Sequence, residues 1–322
     1  MPHAIRMHKT GGPEVLKYEE VPLQSPKAGQ IRIQQTAVGL NFIDTYHRSG
    51  LYPLDLPATI GMEAAGVVDA VGRGVKGLKE GDRVAYCTIP GSYTDVRVVP
   101  ANRVVKLPSW ISDQQAAAMM LKGLTAEYLI RRTYRVQKGD TVVFHAAAGG
   151  VGLIACQWLK QLGVKVIGTV GSDAKAKLAK RHGCTYPVLY KKESLVKRVE
   201  KITKGKGVPV VYDSVGASTF ESSLDCLAPR GTLVSFGNAS GPVPPFNTGI
   251  LGQKGSLYFT RPTLMTYVAA DDDLQKSARA LFRAVKNGLK IRVDQTYKLK
   301  DTAKAHRALE GRKTTGSTIL LP

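Results

Sequence analysis

The sequence predicts an α/β protein in which a β-rich N-terminal part is joined to a doubly wound parallel sheet. Three observations carry that expectation. Residues 1 to about 120 break into short apolar runs separated by turn signals. From about Lys122 onward, strand-like and helix-like segments alternate, as in a parallel βαβ sheet. Between the first of those strands and its helix lies the glycine-rich turn Ala147-Ala148-Gly149-Gly150-Val151-Gly152. At roughly 100–200 residues per domain, 322 residues suggest two domains.

The first part reads as strands at 30–38, 65–71, 83–86 and 93–98, preceded by a strand-like segment near the N-terminus. Glycines at 61, 66, 72, 74, 77 and 81 punctuate it. After Pro108 a helix is expected over 112–120, with Ser112 as its N-cap. A second helix is expected over 124–132. Strands then follow at 141–145, 164–169, 209–212, 232–236 and 257–260. Helices are expected at 151–162, 174–182, 192–203 and 219–226, with Gly163 as a stop. The tail reads as a helix (274–287), a strand-like stretch (293–299), a short helix (302–309) and a final strand (317–321), and it is expected to return to the first domain.

Aligned to G-x-G-x-x-G, the turn reads Ala147-x-Gly149-x-x-Gly152. The context such a motif needs is present: an apolar strand before it and a helix with an apolar face after it. Gly149 lets the backbone approach a pyrophosphate, Gly152 lets the helix pack closely, and the N–H groups of the helix start, from Gly150 and Val151 on, favour an anion. Ala147 replaces the first glycine, so the turn must tolerate a methyl group. An NAD site places an acid at the tip of the second strand. Here the tip reads Gly171-Ser172, with Lys175 just beyond. A hydroxyl and a lysine suit a 2′-phosphate that a carboxylate would repel. Asp173 reads as the start of the next helix, where the dipole favours an acid. The cofactor expected is NADPH.

A hydrophobic content of 43% and a charged content of 22% place the chain among ordinary globular proteins. Cys87, Cys156, Cys184 and Cys226 form no C-x-x-C pair, which argues against a zinc cage or redox dithiol. No apolar run approaches the roughly 20 residues of a membrane span. No charged-then-apolar leader opens the chain, and the cytoplasm is the expected location. The net charge of +21 is uneven. Residues 160–207 carry 13 Lys or Arg against Asp173, Glu193 and Glu200, and 275–313 carry 12 against Asp294, Asp301 and Glu310. Such a surface draws polyanions: nucleic acid is one candidate, and a solvated basic surface that also draws in a phosphorylated cofactor is the other reading.

The chain resembles the zinc-independent quinone oxidoreductases, the ζ-crystallin group of the medium-chain dehydrogenase/reductase superfamily. The resemblance runs from end to end. Its motifs include Gly39-Leu40-Asn41-Phe42-Ile43-Asp44-Thr45-Tyr46, Gly61-Met62-Glu63-Ala64-Ala65-Gly66, Phe144-His145-Ala146-Ala147-Ala148-Gly149-Gly150-Val151-Gly152 and Tyr212-Asp213-Ser214-Val215-Gly216. It implies a GroES-like substrate domain over 1–121 and 262–322, a Rossmann domain over 122–261, a cleft between them, and a homodimer joined through the Rossmann sheets. Zinc members of the superfamily need a Cys and a His where this chain has Asn41 and Met62, neither a usual zinc ligand. The resemblance therefore implies metal-free hydride or electron transfer to an already electrophilic acceptor: a quinone, or an alkenal or enone. An RNA-binding protein gated by the nucleotide is the alternative from a different class.

The resemblance implies that Asn41, Tyr46 and Tyr52 line the nicotinamide end, where each can donate a hydrogen bond to a carbonyl as negative charge develops. A tyrosine or bulk water can deliver the proton. It implies cofactor contacts for Phe42, Thr125, Tyr190, Ser214, Val215, Phe236, Gly237, Arg261 and Arg312. Glu63 keeps the family carboxylate without metal neighbours, which suggests a structural role, and His145 is expected to cap its strand.

Overall fold

The computed structural model describes residues 1–322. It divides into two compact units. One comprises Met1–Leu124, Val268–Arg279 and Ile291–Pro322, and the other Thr125–Tyr267 and Ala280–Lys290. No helix is long and apolar enough to cross a membrane.

The chain begins with β1 (His3–Met7), β2 (Lys17–Glu20), β3 (Gln30–Leu40), α1 (Phe42–Ser49), β4 (Ala58–Thr59) and β5 (Glu63–Val71). β6 (Arg83–Cys87), β7 (Val96–Pro100), β8 (Val104–Lys106) and α2 (Asp113–Tyr128) follow. Next come β9 (Thr141–Phe144), α3 (Gly150–Gln161), β10 (Lys165–Val170), α4 (Asp173–Arg181), β11 (Tyr186–Leu189) and α5 (Leu195–Thr203). β12 (Val208–Asp213), α6 (Phe220–Asp225), β13 (Leu227–Ser235), α7 (Gly249–Gln253), β14 (Tyr258–Thr260) and α8 (Leu264–Tyr267) complete that stretch. The tail holds α9 (Asp271–Lys286), β15 (Val293–Lys298), α10 (Thr302–Glu310) and β16 (Ser317–Leu321).

In the first unit β3 is the spine. It pairs with β5 along its length, with β7 over Gln30–Gln34, and with β16 over Val38–Leu40. The sheet runs β15-β16-β3-β5-β6-β8, and a smaller one runs β2-β1-β4. The first half of β3 alternates buried and less buried residues, the period-two pattern of a half-covered strand, and its last four residues are all buried. Ile31, Ile33, Val68, Val84, Tyr86 and Tyr93 fill the core. The strand expected over 93–98 is divided between the sheets. Residues 93–95 bond β1, through Ile5 N–H to Tyr93 O (2.8 Å) and Asp95 N–H to His3 O (2.9 Å), and β7 starts at Val96.

The second unit is a sheet of six parallel strands, ordered β11-β10-β9-β12-β13-β14. Val142, Val143, Phe144, Val166, Ile167, Val210, Val211 and Tyr212 are all buried, as a parallel sheet covered on both faces requires. Chain order reverses between β9 and β12. At such a point the loops leave in opposite directions and open a crevice at the carboxyl ends of the strands.

Several features differ from the sequence reading. The helices expected over 112–120 and 124–132 are one α-helix, α2, continued by a π-helical turn over Leu129–Thr133. Gly123 does not break it. Residues 116–120 and 124–130 are buried, and their backbone groups need partners more than the chain needs to avoid the roughly 1 kcal/mol cost of a helical glycine. Strand β11 was not expected. It is four residues at the sheet edge, where Pro187 is tolerated. The grouping of the tail differs too: 262–267 belong to the nucleotide unit, and so does Ala280–Lys290. Its end is tied to α3 by reciprocal bonds between the Gln157 amide and the Lys290 backbone, both 3.0 Å.

The seating of α3 depends on Gly152. A Cβ there would lie 2.8 Å from Ala147 Cα and closer still to Ala146 O. Gly152→Ala should therefore lose roughly 1–3 kcal/mol to overpacking, more than the ~1 kcal/mol that alanine gains in a helix. A melting midpoint several degrees below wild type is expected, and an unchanged or higher midpoint would contradict this packing.

Candidate functional site

In the first unit the site residues gather where β3 turns into α1. Asn41 caps α1, its N–H donating to Asp44 Oδ2 at 2.8 Å. Its side chain reaches Glu63, the first residue of β5. Asn41 Nδ2 and Lys122 Nζ both donate to Glu63 Oε1 at 2.8 Å, and Leu121 N–H donates to Oε2 at 2.7 Å. Glu63 is 0% exposed, so its charge must be met from within the protein, and Lys122 meets it. A carboxylate only accepts, so Nδ2 is the end of the Asn41 amide that faces Glu63. The amide keeps one Nδ2 hydrogen for another partner, while its oxygen faces the Asp44 N–H in the capping box. Gly39 makes room for this group, because a Cβ there would press on Glu63 Oε1 and Ala117 O.

Tyr46 lies one turn along α1 and is 8% exposed. Its ring is 5.8 Å from Phe42 and 5.2 Å, edge-on, from Tyr52, whose N–H donates to Tyr46 O at 3.2 Å. Phe42, Tyr46 and Tyr52 thus form one aromatic row beside Asn41. Arg312 is in the same unit, exposed, on the turn between α10 and β16 with φ +56°.

Helix α1 itself was not expected from the sequence, and its anchoring explains why. It buries polar rather than apolar residues. Tyr93 Oη donates to Asp44 Oδ2 at 2.7 Å and contacts His306 Nε2 at 3.1 Å. Arg48 donates to His306 Nδ1 at 3.0 Å and forms a two-pronged bond with Glu310 at 2.9 and 2.6 Å. Burial pushes Asp44 up to about 7, against the lowering effect of the Tyr93 and Asn41 hydrogen bonds. Burial, with Arg48 beside it, drives His306 down to about 3. Asp44 Oδ1 is buried without a partner, so that oxygen is where a proton would sit.

In the second unit the glycine loop sits at the carboxyl end of β9. Ala146 takes a left-handed conformation, φ +53°, and Gly149 is the N-cap of α3 with no side chain to cap it. The first helical bond runs from Leu153 N–H to Gly149 O at 2.9 Å, so the N–H groups of Gly150, Val151 and Gly152 precede the ladder. Ala147 N–H donates to Thr169 O at 3.0 Å. The methyl group at this first position is accommodated by Gly168 on β10, whose own Cβ would lie only 2.6 Å from it.

Ser172 caps α4, its Oγ accepting from Lys175 N–H at 3.3 Å. Asp173 is the first residue of α4. Its carboxylate meets Lys192 Nζ at 2.8 Å, and Lys192 holds it below the usual carboxylate range. Tyr190 lies against Gly171, where a Cβ would be 3.0 Å from its hydroxyl. Gly171, Ser172, Lys175 and Tyr190 therefore share the ends of β10 and β11. Ser214 and Val215 leave β12 beside Phe236 and Gly237, which leave β13, and Phe236 N–H donates to Asp213 O at 2.7 Å. Arg261 Nη1 donates to Ser235 O at 3.1 Å, beside the same strand end. Thr125 is buried in α2.

Sequence reasoning missed Lys122 and Asp44. A lone lysine in the apolar run from Ala116 to Thr125 was the available signal for the first. Met62 is buried, and no group of three or more His, Cys, Asp or Glu side chains is arranged to hold a metal ion.

Known proteins match both units. Residues 27–109 match the alcohol dehydrogenase GroES-like domain, and residues 150–283 match the family described as zinc-binding dehydrogenase. A quinone oxidoreductase of Pseudomonas aeruginosa is 53% identical, with all of both chains covered. The crystal structure of Escherichia coli quinone oxidoreductase complexed with NADPH superposes with a TM-score of 0.98 at 51% identity, over 99% of this chain and 100% of that one. A 2-haloacrylate reductase of Burkholderia sp. is 44% identical, over 99% of this chain and 98% of its own length.

Asp44 gives a pH signature. Its pKa is raised on folding, so it stabilises the fold fully below about pH 3.8, and that stability is lost as pH rises through about 7. The shift corresponds to an order of 4 kcal/mol at ~1.36 kcal/mol per pKa unit. Asn is the isostere of the protonated form. Asp44→Asn should therefore hold its unfolding free energy between pH 5 and 8 better than wild type does. Parallel stability curves for the two proteins would contradict the assignment.

Proposed function

Because the chain belongs to the quinone oxidoreductases of the medium-chain dehydrogenase/reductase superfamily, we propose that it reduces a quinone with NADPH and without a metal ion. The observation that carries the nucleotide part is the uncapped start of α3. Three backbone N–H groups there precede the helical ladder, at the point where strand order reverses. Such an end suits a pyrophosphate, and the bare Gly149 leaves room for it.

NADPH, when bound, supplies the hydride. The residues of the chain bind and orient. Ala147, Gly149, Gly150 and Val151 cradle the pyrophosphate. Ser172 and Lys175 meet the 2′-phosphate, with Gly171 and Tyr190 at the adenosine. Asp173 does not oppose this, since it is paired with Lys192. Ser214, Val215, Phe236, Gly237 and Arg261 follow the ligand along the strand ends, and Phe42, Thr125 and Arg312 complete the set. Asn41, Tyr46 and Tyr52 face the acceptor. Glu63 and Lys122 fix the Asn41 amide, which offers its remaining hydrogen to the acceptor oxygen as negative charge develops. A phenol near pKa ~10 is a reluctant acid, so the tyrosines serve as hydrogen-bond donors and water supplies the final proton.

A second reading, reduction of an alkene polarised by a carbonyl group, is favoured by the 44% identical 2-haloacrylate reductase. Both chemistries deliver hydride to an electron-poor carbon and need the same donors. The chain is further assigned as a homodimer through β14, an edge strand whose Tyr258 is 62% exposed. The cytoplasm is its assigned location. The basic surface is assigned to drawing in the phosphorylated cofactor; RNA has only the charge in its favour.

A panel of quinones and α,β-unsaturated aldehydes, run with NADPH and with NADH, separates the readings. Quinone turnover with NADPH is expected to dominate, and turnover with the alkenals alone would transfer the assignment. Lys175→Glu is expected to raise the KM for NADPH about tenfold or more, the worth of a charged hydrogen bond, and to change that for NADH far less. An equal loss for both cofactors would remove Lys175 from the 2′-phosphate.

A further inference from the structure

Beneath the glycine loop runs a buried polar chain that the hydride reaction does not use. His145, the residue after β9, contacts Thr169 Oγ1 through Nδ1 at 3.1 Å and Ser223 Oγ through Nε2 at 3.0 Å. Ser223 Oγ donates to Asp213 Oδ2 at 2.8 Å. All four residues are buried.

Chemistry fixes the direction of every bond in this chain. The carboxylate of Asp213 only accepts, so the single hydroxyl hydrogen of Ser223 is spent on it. The Ser223 oxygen must then accept from His145, which places the ring proton on Nε2. Nδ1 is left with its lone pair and accepts from Thr169. The Thr169 oxygen in turn accepts from Ala146 N–H at 3.1 Å. At the other end Asp213 Oδ1 accepts from Val215 N–H at 2.7 Å and Gly216 N–H at 3.1 Å. One line of polarised bonds thus starts on a backbone amide of the glycine loop and ends on two backbone amides of the loop after β12. It passes through the end of β10 on the way.

We propose that His145 is a positioning residue for the cofactor, the middle member of a Thr169–His145–Ser223–Asp213 relay that sets the spacing of three strand ends. The proposal rests on the NADPH reading above. Three features make the relay suited to this work. It joins β9, β10 and β12, the strands that flank the reversal of chain order. It ends on main-chain groups of both loops, so a change in it moves the backbone that meets the ligand. It also admits a single tautomer, so it has one arrangement rather than two. Burial holds the His145 ring below its ordinary pKa despite the nearby Asp213 carboxylate, in keeping with a neutral imidazole. With the imidazole neutral, the Asp213 carboxylate is held by the Ser223 hydroxyl and the Val215 and Gly216 amides rather than by a buried cation.

The test compares NADPH affinity, by fluorescence titration, for wild type, His145→Met and His145→Gln at a temperature where circular dichroism shows each protein folded. Methionine fills the space and breaks both bonds, whereas glutamine can still accept at one end and donate at the other. His145→Met is expected to bind NADPH about tenfold more weakly, with most of kcat retained at saturation, and His145→Gln to recover most of the affinity. A purely structural histidine would lower the melting midpoint and leave the affinity of the folded protein alone; that result would overturn the proposal. If His145→Met does not fold, Ser223→Ala takes its place with the same expectation. On wild-type protein, ¹⁵N-histidine NMR, with the His145 signals identified by their loss in His145→Met and so kept apart from those of the buried His306, should find the His145 ring neutral, protonated at Nε2 and held so over a broad pH range, and an imidazolium or the Nδ1–H tautomer there would also overturn it. Wild type that binds no NADPH would bring down the functional reading as well, whereas binding by wild type with equal binding by His145→Met would bring down the relay alone.

Discussion

The close seating of α3 on the sheet is the constraint from which the nucleotide unit follows. A helix start leaves amides without carbonyl partners, and the protein must either cap them or offer them to a ligand. Here Gly149 provides no cap, and Gly152 brings the helix so near the loop that a single methyl group would strike the Ala146 carbonyl. Ala147 is admitted because Gly168 stands opposite on the next strand. The amides of Gly150, Val151 and Gly152 are therefore held at the point where β9 and β12 part, and the neighbouring strand ends bring Ser172, Lys175, Ser214 and Val215 to the same edge of the sheet.

The first unit solves a different problem, that of keeping charge in a dry interior. Glu63 has no exposure, and no group of three or more His, Cys, Asp or Glu side chains is arranged to hold a metal ion. The compensating cation is the Lys122 ammonium, supplied by the chain itself. Stripping water from an ion pair is costly, and it is tolerated only when the geometry is good and the remaining lone pairs are filled. Leu121 N–H and the Asn41 amide fill them. The consequence for function is orientation, since the Asn41 side chain has one way round beside a carboxylate. Asp44, Tyr93, His306 and Arg48 hold α1, and with it Tyr46, in the same manner.

What the sequence revealed and what it hid divide along a physical line. The glycine loop was legible because strand, turn and helix are consecutive and each glycine answers a local demand. Ser172 and Lys175 stand at a fixed distance past that loop, and the structure puts them at the N-terminus of α4. Asp173 was read as a helix start, and it opens α4, but its pairing with Lys192 was not visible. Helix α1 escaped notice because it buries Asp44, Thr45, His47 and Arg48, the reverse of the apolar periodicity by which helices are recognised. Gly123 misled because burial of α2 outweighs its propensity. The polar clusters escaped for a simpler reason: His145 and Ser223 are 78 residues apart, Asn41 and Glu63 are 22 apart, and Arg48 and His306 are 258 apart. No local pattern encodes such pairs.

The central claim is that a metal-free chain passes hydride from NADPH to a quinone. It is tested most directly by dialysing the protein against a strong chelator and following NADPH absorbance anaerobically as a quinone is added in known amounts. One NADPH is expected to be consumed per quinone reduced, at a rate unchanged by the chelator and not raised by added zinc. A protein that oxidises no NADPH with any quinone, or one whose turnover disappears with the chelator and returns with zinc, would contradict it.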